Sequence, residues 1–204
     1  MKTFFISDTH FHHKNMYNFT TSNPGQNFYV RPEFMDHEEG DAYMIEQWNS
    51  VVSPEDKVYF GGDFCFDQKR MEELNCLNGT KILILGNHDN YKMSQYGKIF
   101  KRIYSYRDLT RLFDINKKVV LTHCPSHMES FYPYVERTIN IHGHIHEKCV
   151  RHADGTIDLR YQNISVELIG YRPIELDELR EVILSGKSTY AGIHSLGIKR
   201  ELRV

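Results

Sequence analysis

Five short blocks of the chain concentrate residue types that bind transition-metal ions: Asp8-Thr9-His10, Gly62-Asp63, Gly86-Asn87-His88-Asp89, His123 and Gly143-His144-Ile145-His146. As ligands they offer the carboxylates of Asp8 and Asp63, the amide of Asn87 and the imidazoles of His10, His123, His144 and His146. Such a mixed nitrogen and oxygen set suits manganese, iron, zinc, cobalt or nickel better than calcium or magnesium, which favour oxygen-only shells. Two divalent cations about 3.5–4 Å apart can bind phosphoryl oxygens, lower the pKa of a shared water toward ~7 and stabilise developing charge. One carboxylate must then bridge the ions. Imidazole ligands must be neutral, so acidification below the ordinary histidine pKa of ~6.5 should release metal.

Each block follows an apolar run. Phe4-Phe5-Ile6 leads into Asp8, Val58-Tyr59-Phe60 into Asp63 and Ile82-Leu83-Ile84-Leu85 into Asn87. Val119-Val120-Leu121 leads into His123, and Ile139-Asn140-Ile141 into the last pair. Short β-branched or aromatic runs bounded by glycine and polar residues read as buried strands. Open α/β sheets gather ligand groups at the carboxyl ends of their strands, so the five blocks are expected to converge on one site.

Other elements are read from periodicity and turn chemistry. Residues 15–34 form a polar loop dotted with aromatics, with a turn at Asn23-Pro24-Gly25-Gln26. Residues 36–48 are expected to be helical, with Ala42, Ile45 and Trp48 on one face. A second helix is expected over 68–77, two strands within 103–122 around Asn116-Lys117, a strand over 162–168 and a closing helix over 176–184. The β-α-β-α-β start followed by strand-rich sequence indicates a layered α/β protein rather than an all-parallel one.

The 204 residues suit one domain. A net charge of -2 gives no global pull toward nucleic acid or an anionic membrane. No apolar run approaches the ~20 residues of a membrane span, and the start reads as a strand rather than a signal peptide. Cys65, Cys76, Cys124 and Cys149 show no zinc-type pairing and read as free thiols, which points to the cytoplasm. The expected partner is a small phosphoester, without a membrane. The sequence sets no oligomeric state.

The ordered set Asp8-x-His10, Gly62-Asp63, Gly86-Asn87-His88-Asp89, His123 and Gly143-His144-x-His146 resembles the five signatures of the calcineurin-like metallophosphoesterases, including small bacterial and phage-type members. The resemblance runs from Phe4 to His146. It implies a two-sheet β-sandwich flanked by helices, in four layers, with two divalent transition-metal ions, manganese favoured. Asp63 would bridge them; Asp8, His10 and His146 would hold one, and Asn87, His123 and His144 the other. It further implies that His88 touches substrate, stabilising the phosphate or protonating the leaving oxygen, with Asp89 orienting its ring. The implied reaction is in-line attack by metal-bound hydroxide without a phosphoenzyme.

Two departures stand out. Phe64-Cys65-Phe66 follows Asp63 where many relatives carry a polar residue, and Phe11-His12-His13 stands where small relatives often show Phe-Gly-His. His13 keeps the matching place as a substrate contact, whereas His12 either adds a donor at the substrate mouth or faces solvent. Arg31 is a candidate for a substrate phosphate, since arginine suits bidentate contact. His142 is expected to support a neighbouring ligand, Cys65 and Cys124 to pack in the interior, and His37, His152 and His194 to face solvent.

These residues point to a metal-dependent phosphoesterase with an open site, phosphodiesters favoured over monoesters. The rivals are a nuclease acting on DNA or RNA and a metal-binding scaffold without turnover. A nuclease needs a continuous basic groove beside the metals. Lys98, Lys101, Arg102, Arg107, Arg111, Lys117 and Lys118 are locally basic, but Asp108 and Asp114 interrupt them and strand alternation is expected to split them between faces. The aromatics Phe131, Tyr132 and Tyr134 are expected to pack within their own loop.

Overall fold

A computed structural model describes residues 1–18, 20–23, 26–31 and 33–190, of which 20–23 and 26–29 by backbone alone. His194, Pro24 and Gly25 lie outside the described residues. In chain order the elements begin with β1 (Thr3–Ile6), a hairpin of β2 (Thr20–Asn23) and β3 (Gln26–Tyr29), α1 (His37–Val51), β4 (Lys57–Phe60) and β5 (Thr80–Ile84). Next come α2 (Met93–Tyr96), β6 (Arg102–Tyr104), β7 (Arg107–Asp108), α3 (Thr110–Phe113) and β8 (Lys118–Leu121). β9 (Thr138–His142), β10 (Tyr161–Asn163), β11 (Ile174–Glu175) and α4 (Leu176–Leu184) complete the set.

The strands form two main sheets flanked by helices. In the first, ordered β11-β1-β4-β5-β6, β1, β4, β5 and β6 are parallel and β11 is an antiparallel edge. In the second, ordered β10-β9-β8-β7, β8, β9 and β10 are parallel and β7 is the antiparallel edge. Central parallel strands are covered on both faces and read as continuous apolar runs. β1 buries Phe4, Phe5 and Ile6, and β9 is buried throughout. The parallel strands aim their carboxyl ends at the edge where all five ligand blocks begin.

α1 starts where the Asp36 side chain accepts from Glu39 N at 2.9 Å, an N-cap that relieves one orphan donor of the first turn. Its buried face is His37, Gly40, Asp41, Met44 and Trp48 rather than the expected Ala42-Ile45-Trp48, and Ala42 is exposed. Gly40 explains the rotation: a Cβ there would lie 2.1 Å from the Tyr17 hydroxyl, so the helix docks closely on the preceding loop. His37, expected in solvent, is buried on this face, whereas His152 is exposed as expected.

Three other expectations change for local reasons. Within 68–77 the structure forms only a 3-10 segment, Met71–Cys76, a geometry common in short pieces. Within 103–122, Asp108 accepts from Thr110 N at 2.9 Å and diverts the chain into the short helix α3 instead of a continuing strand. The strand expected over 162–168 stops at Asn163, whose side chain accepts from Ser165 N at 2.9 Å and turns the chain. Among the described residues, no helix is long and apolar enough to cross a membrane.

Trp48 joins α1 to the first sheet. It is fully buried, stacks on Phe60 at 6.3 Å and donates from Nε1 to Asn78 O at 3.0 Å. Trp48→Ala should therefore cost about 3–5 kcal/mol. Denaturant unfolding reads the loss, and a change below ~1 kcal/mol would mean that the helix does not anchor there.

Candidate metal centre

The ligand blocks occupy the turns just beyond β1, β4, β5, β8 and β9, and the backbone there is unusual. Asp8, His10, Asp63, His144 and His146 all take left-handed conformations, with φ of 59°, 48°, 59°, 70° and 49°. Outside glycine such conformations are costly and cluster at functional sites. The motif glycines have a separate role, admitting carboxylates against the main chain. A Cβ on Gly86 would lie 2.1 Å from Asp63 Oδ1, and one on Gly143 would lie 2.1 Å from both Asp8 Oδ2 and Ser7 Oγ.

Asp63 sits at the centre. Its Oδ1 accepts from His88 N at 2.8 Å, while Oδ2 stands 3.6 Å from His10 Nε2 and 3.4 Å from His123 Nε2. Ligand atoms of Asp8, His10 and His146 lie within 4.8 Å of one another, as do those of Asp8, Asp63 and His123. On the far side, Asn87 Oδ1 lies 2.8 Å from both His123 Nε2 and His144 Nδ1. His123 donates from Nδ1 to Gly61 O at 2.8 Å, which aims Nε2 inward. His10 is buried with neither ring nitrogen hydrogen-bonded among the described residues. Buried polar atoms rarely lack partners, so these orphans and the surrounding oxygens fit a bound cation.

The outer contacts include two residues the motifs do not announce, Ser165 and Glu167. Ser165 Oγ donates to Asp8 Oδ2 at 2.9 Å, and His144 N donates to both oxygens of Asp8 at 3.0 Å. Glu167, fully buried, accepts from His146 Nδ1 at 3.1 Å, leaving Nε2 to face the site. Metal-binding histidines are commonly oriented in this way. Glu167 also pairs with Arg31 at 2.9 Å. Arg31 therefore does not meet substrate: its guanidinium is buried and donates to Asp8 O at 2.6 Å and Thr9 O at 2.8 Å.

Asp89 differs from expectation as well. Its carboxylate accepts from Asp63 N and Gly86 N at 2.8 Å and from Phe64 N at 3.1 Å, so it clamps two ligand turns together instead of orienting the His88 ring. His12 neither lines the mouth nor faces solvent; it is buried with Nδ1 3.1 Å from Asp41 Oδ2. Cys65 is buried as expected, but Cys124 is exposed, its Sγ grouped with His123 and His144. His142 is buried and donates to Gly143 O at 2.9 Å, a contact with the adjacent main chain and not with a ligand side chain. His88 is exposed, its ring 5.6 Å from that of His10. The His13 ring lies 6.0 Å from the His10 ring and 3.7 Å from Phe66. Phe66, also 5.4 Å from His88, lines the mouth, so the aromatic run after Asp63 contributes a wall there.

Proton affinities divide the imidazoles. Burial works against the charge on His146, but Glu167 overrides it and raises the pKa to about 9. Burial likewise opposes charge on His123, and contact with Asp63 raises it to about 8. Burial lowers His10 well below the ordinary value and also lowers His144. Burial raises Asp8; at Asp63 burial is outweighed by His123 and the net shift is downward.

Metal ligation requires neutral imidazole. With His146 near 9 and His123 near 8, metal uptake at neutral pH should expel protons, and affinity should climb with pH through this range rather than level off just above ~6.5. Calorimetry in buffers of different ionisation enthalpy counts the protons; a count of zero would remove these two residues from the ligand set. Gly143→Ala should displace Asp8 and cut metal affinity by at least tenfold, or ~1.4 kcal/mol, at unchanged secondary structure. Undiminished affinity would mean that Asp8 is not a ligand.

A family model described as the calcineurin-like phosphoesterase superfamily domain matches residues 1–163. The uncharacterized protein MJ1445 of Methanocaldococcus jannaschii is 33% identical over 196 residues, spanning 91% of this chain and 93% of that protein. Among solved structures, the protein of unknown function AQ665 from Aquifex aeolicus is 25% identical with a TM-score of 0.60, covering 89% of this chain and 98% of its own. The carboxylates and imidazoles gathered at the strand ends agree with the family match, and the chain belongs to the calcineurin-like phosphoesterase superfamily.

Proposed function

We propose that the centre holds two divalent transition-metal ions and hydrolyses phosphodiesters in preference to monoesters. The observation that carries this reading is the position of Asp63 Oδ2 between His10 Nε2 at 3.6 Å and His123 Nε2 at 3.4 Å. A single carboxylate oxygen flanked by imidazoles from two groups suits a bridge. Oxygen donors at Asp8, Asp63 and Asn87 beside the imidazoles favour manganese within the manganese-to-zinc series. Bound there, the ions would supply the positive charge that holds phosphoryl oxygens and lowers the pKa of a shared water.

The chain's own residues supply the rest. His88 N holds Asp63 Oδ1, so the His88 backbone orients the bridge while its exposed ring is free to donate a proton to the leaving oxygen. Phe66 and His13, in ring contact, form one wall of the mouth and suit a flat leaving group. Preference for diesters follows from charge. A monoester brings a second negative charge, and Arg31, the arginine nearest in sequence logic to a substrate phosphate, is committed to Glu167. The four free cysteines support a reducing, cytoplasmic setting.

The test joins elemental analysis to turnover of bis-aryl and mono-aryl phosphates with added manganese. Two ions per chain and faster diester cleavage are expected. One ion, or faster monoester cleavage, would refute the corresponding half of the proposal; metal without turnover on either ester would make the centre a scaffold. Asp63→Ala should lose both metal and activity. His88→Ala should keep metal and lose ~10²–10⁴-fold in turnover of a diester with a poor leaving group.

A further inference from the structure

Arg107, Arg111, Lys117 and Lys118, which strand alternation is expected to separate, line one cavity of about 800 Å³ together with Arg137. Asp108 and Asp114 are the acids on its wall. Elsewhere among the described residues Arg31, Arg70, Arg160, Arg172 and Arg180 sit in ion pairs, and Arg102 and Arg151 do not. In this cavity only Lys118 does among the described residues, with Asp108 at 3.2 Å. Arg137 donates to the neutral Asn116, Arg107 lies over the Tyr104 ring, and Arg111 and Lys117 make no ion pair among the described residues. Five cations thus face two acids, and the cavity carries an excess of positive charge in a chain whose net charge is -2. Cations on an edge strand also discourage sheet-to-sheet association, but only Arg107 belongs to the edge strand β7.

A second cavity of about 420 Å³ adjoins the first and shares Asp108, Lys118 and Tyr134 with it. Three tyrosines on its wall are unusually open: Tyr106 is 61% exposed, Tyr132 81% and Tyr134 53%. Tyr132 and Tyr134 thus do not pack within their own loop as expected. This cavity extends to Thr122 and Ser126, and Thr122 immediately precedes His123. From Lys118 to Thr122 the strand climbs ~13 Å at ~3.3 Å per residue, room for ~4 stacked nucleotides at ~3.4 Å each.

We propose that this groove binds single-stranded nucleic acid and leads it toward the metal centre. Unpaired cations next to open aromatic faces are what a single strand needs, with phosphates on the arginines and lysines and bases stacked on the tyrosines. A duplex would hide its base faces from Tyr106 and Tyr132, and an acidic peptide would gain nothing from them. The proposal names a substrate class for the phosphodiesterase reading above and rests on it.

The test measures binding of a fluorescent oligothymidylate of about 15 nucleotides, within the range of known single-strand sites, to the metal-loaded protein at low salt. Bis-aryl phosphate turnover is followed in parallel. Salt-sensitive binding is expected. The double variant Arg111→Gln, Lys117→Gln should flatten the slope of log affinity against log salt by ~1.4, or ~0.7 per lost phosphate contact. Tyr132→Ala should weaken binding about tenfold. Neither change should alter bis-aryl turnover, since none of the three residues belongs to the groups that could hold an ion. The groove is refuted by absence of binding at low salt, by equal affinity for duplex or polyglutamate, or by indifference to both variants. If the oligonucleotide binds as described but bis-aryl ester is not cleaved, the catalytic reading fails and the groove stands.

Discussion

Asp8, Asp63, Asp89 and Glu167 are carboxylates buried around a single site, each no more than 6% exposed. Removing an ionised carboxylate from water costs several kcal/mol unless its oxygens are met by donors or cations. The fold meets them chiefly with main-chain N–H groups: His144 N on Asp8, His88 N on Asp63, and three backbone donors on Asp89. To turn those groups inward the ligand loops adopt left-handed conformations and bring glycines against carboxylate oxygens. Strain in the turns, glycine in the motifs and placement of the imidazoles are thus consequences of one requirement. The arrangement leaves the buried His10 ring without a hydrogen bond among the described residues, its Nε2 3.6 Å from Asp63 Oδ2, which suits a cation.

Glu167 extends the same logic away from the centre. Arg31 and His146 both donate to its Oε1, while Oε2 is buried without a hydrogen bond among the described residues, and Arg31 also reaches the carbonyls of Asp8 and Thr9. The segment carrying Arg31 is thereby tied to β1 and to the loop after β10 through a single guanidinium. Planar, multidentate geometry makes arginine suited to that task, and lysine could not reproduce it. The charge that could have met a substrate phosphate is instead used to hold a ligand in its orientation.

Charge is segregated rather than spread. The acidic centre lies at the carboxyl ends of the parallel strands, while unpaired arginines and lysines collect around α3, the edge strand β7 and the start of β8. A net charge of -2 conceals both features. The separation arises because α3 and β7 interrupt what would otherwise be two long strands, folding Arg107, Arg111 and Lys117 toward one another.

Much of the centre was legible in the sequence. Apolar runs ending in Asp, Asn or His located the strand ends, since parallel strands buried on both faces tolerate little else, and the two-sheet architecture was implied by the family resemblance that the ordered blocks carry. The reading failed where side-chain-to-backbone bonds redirect the chain, at Asp108 and Asn163, and where a glycine rotates a helix face, at Gly40. Asp89 was placed in the centre but given the wrong partner, and Arg31 was given a substrate instead of Glu167. The common cause is physical. The sequence by itself determined which donor atoms exist and in what order they reach the site. Tertiary structure alone decided what each one meets, because most partners are backbone N–H groups that every residue but proline carries, or lie as far off as the 157 positions between Asp8 and Ser165.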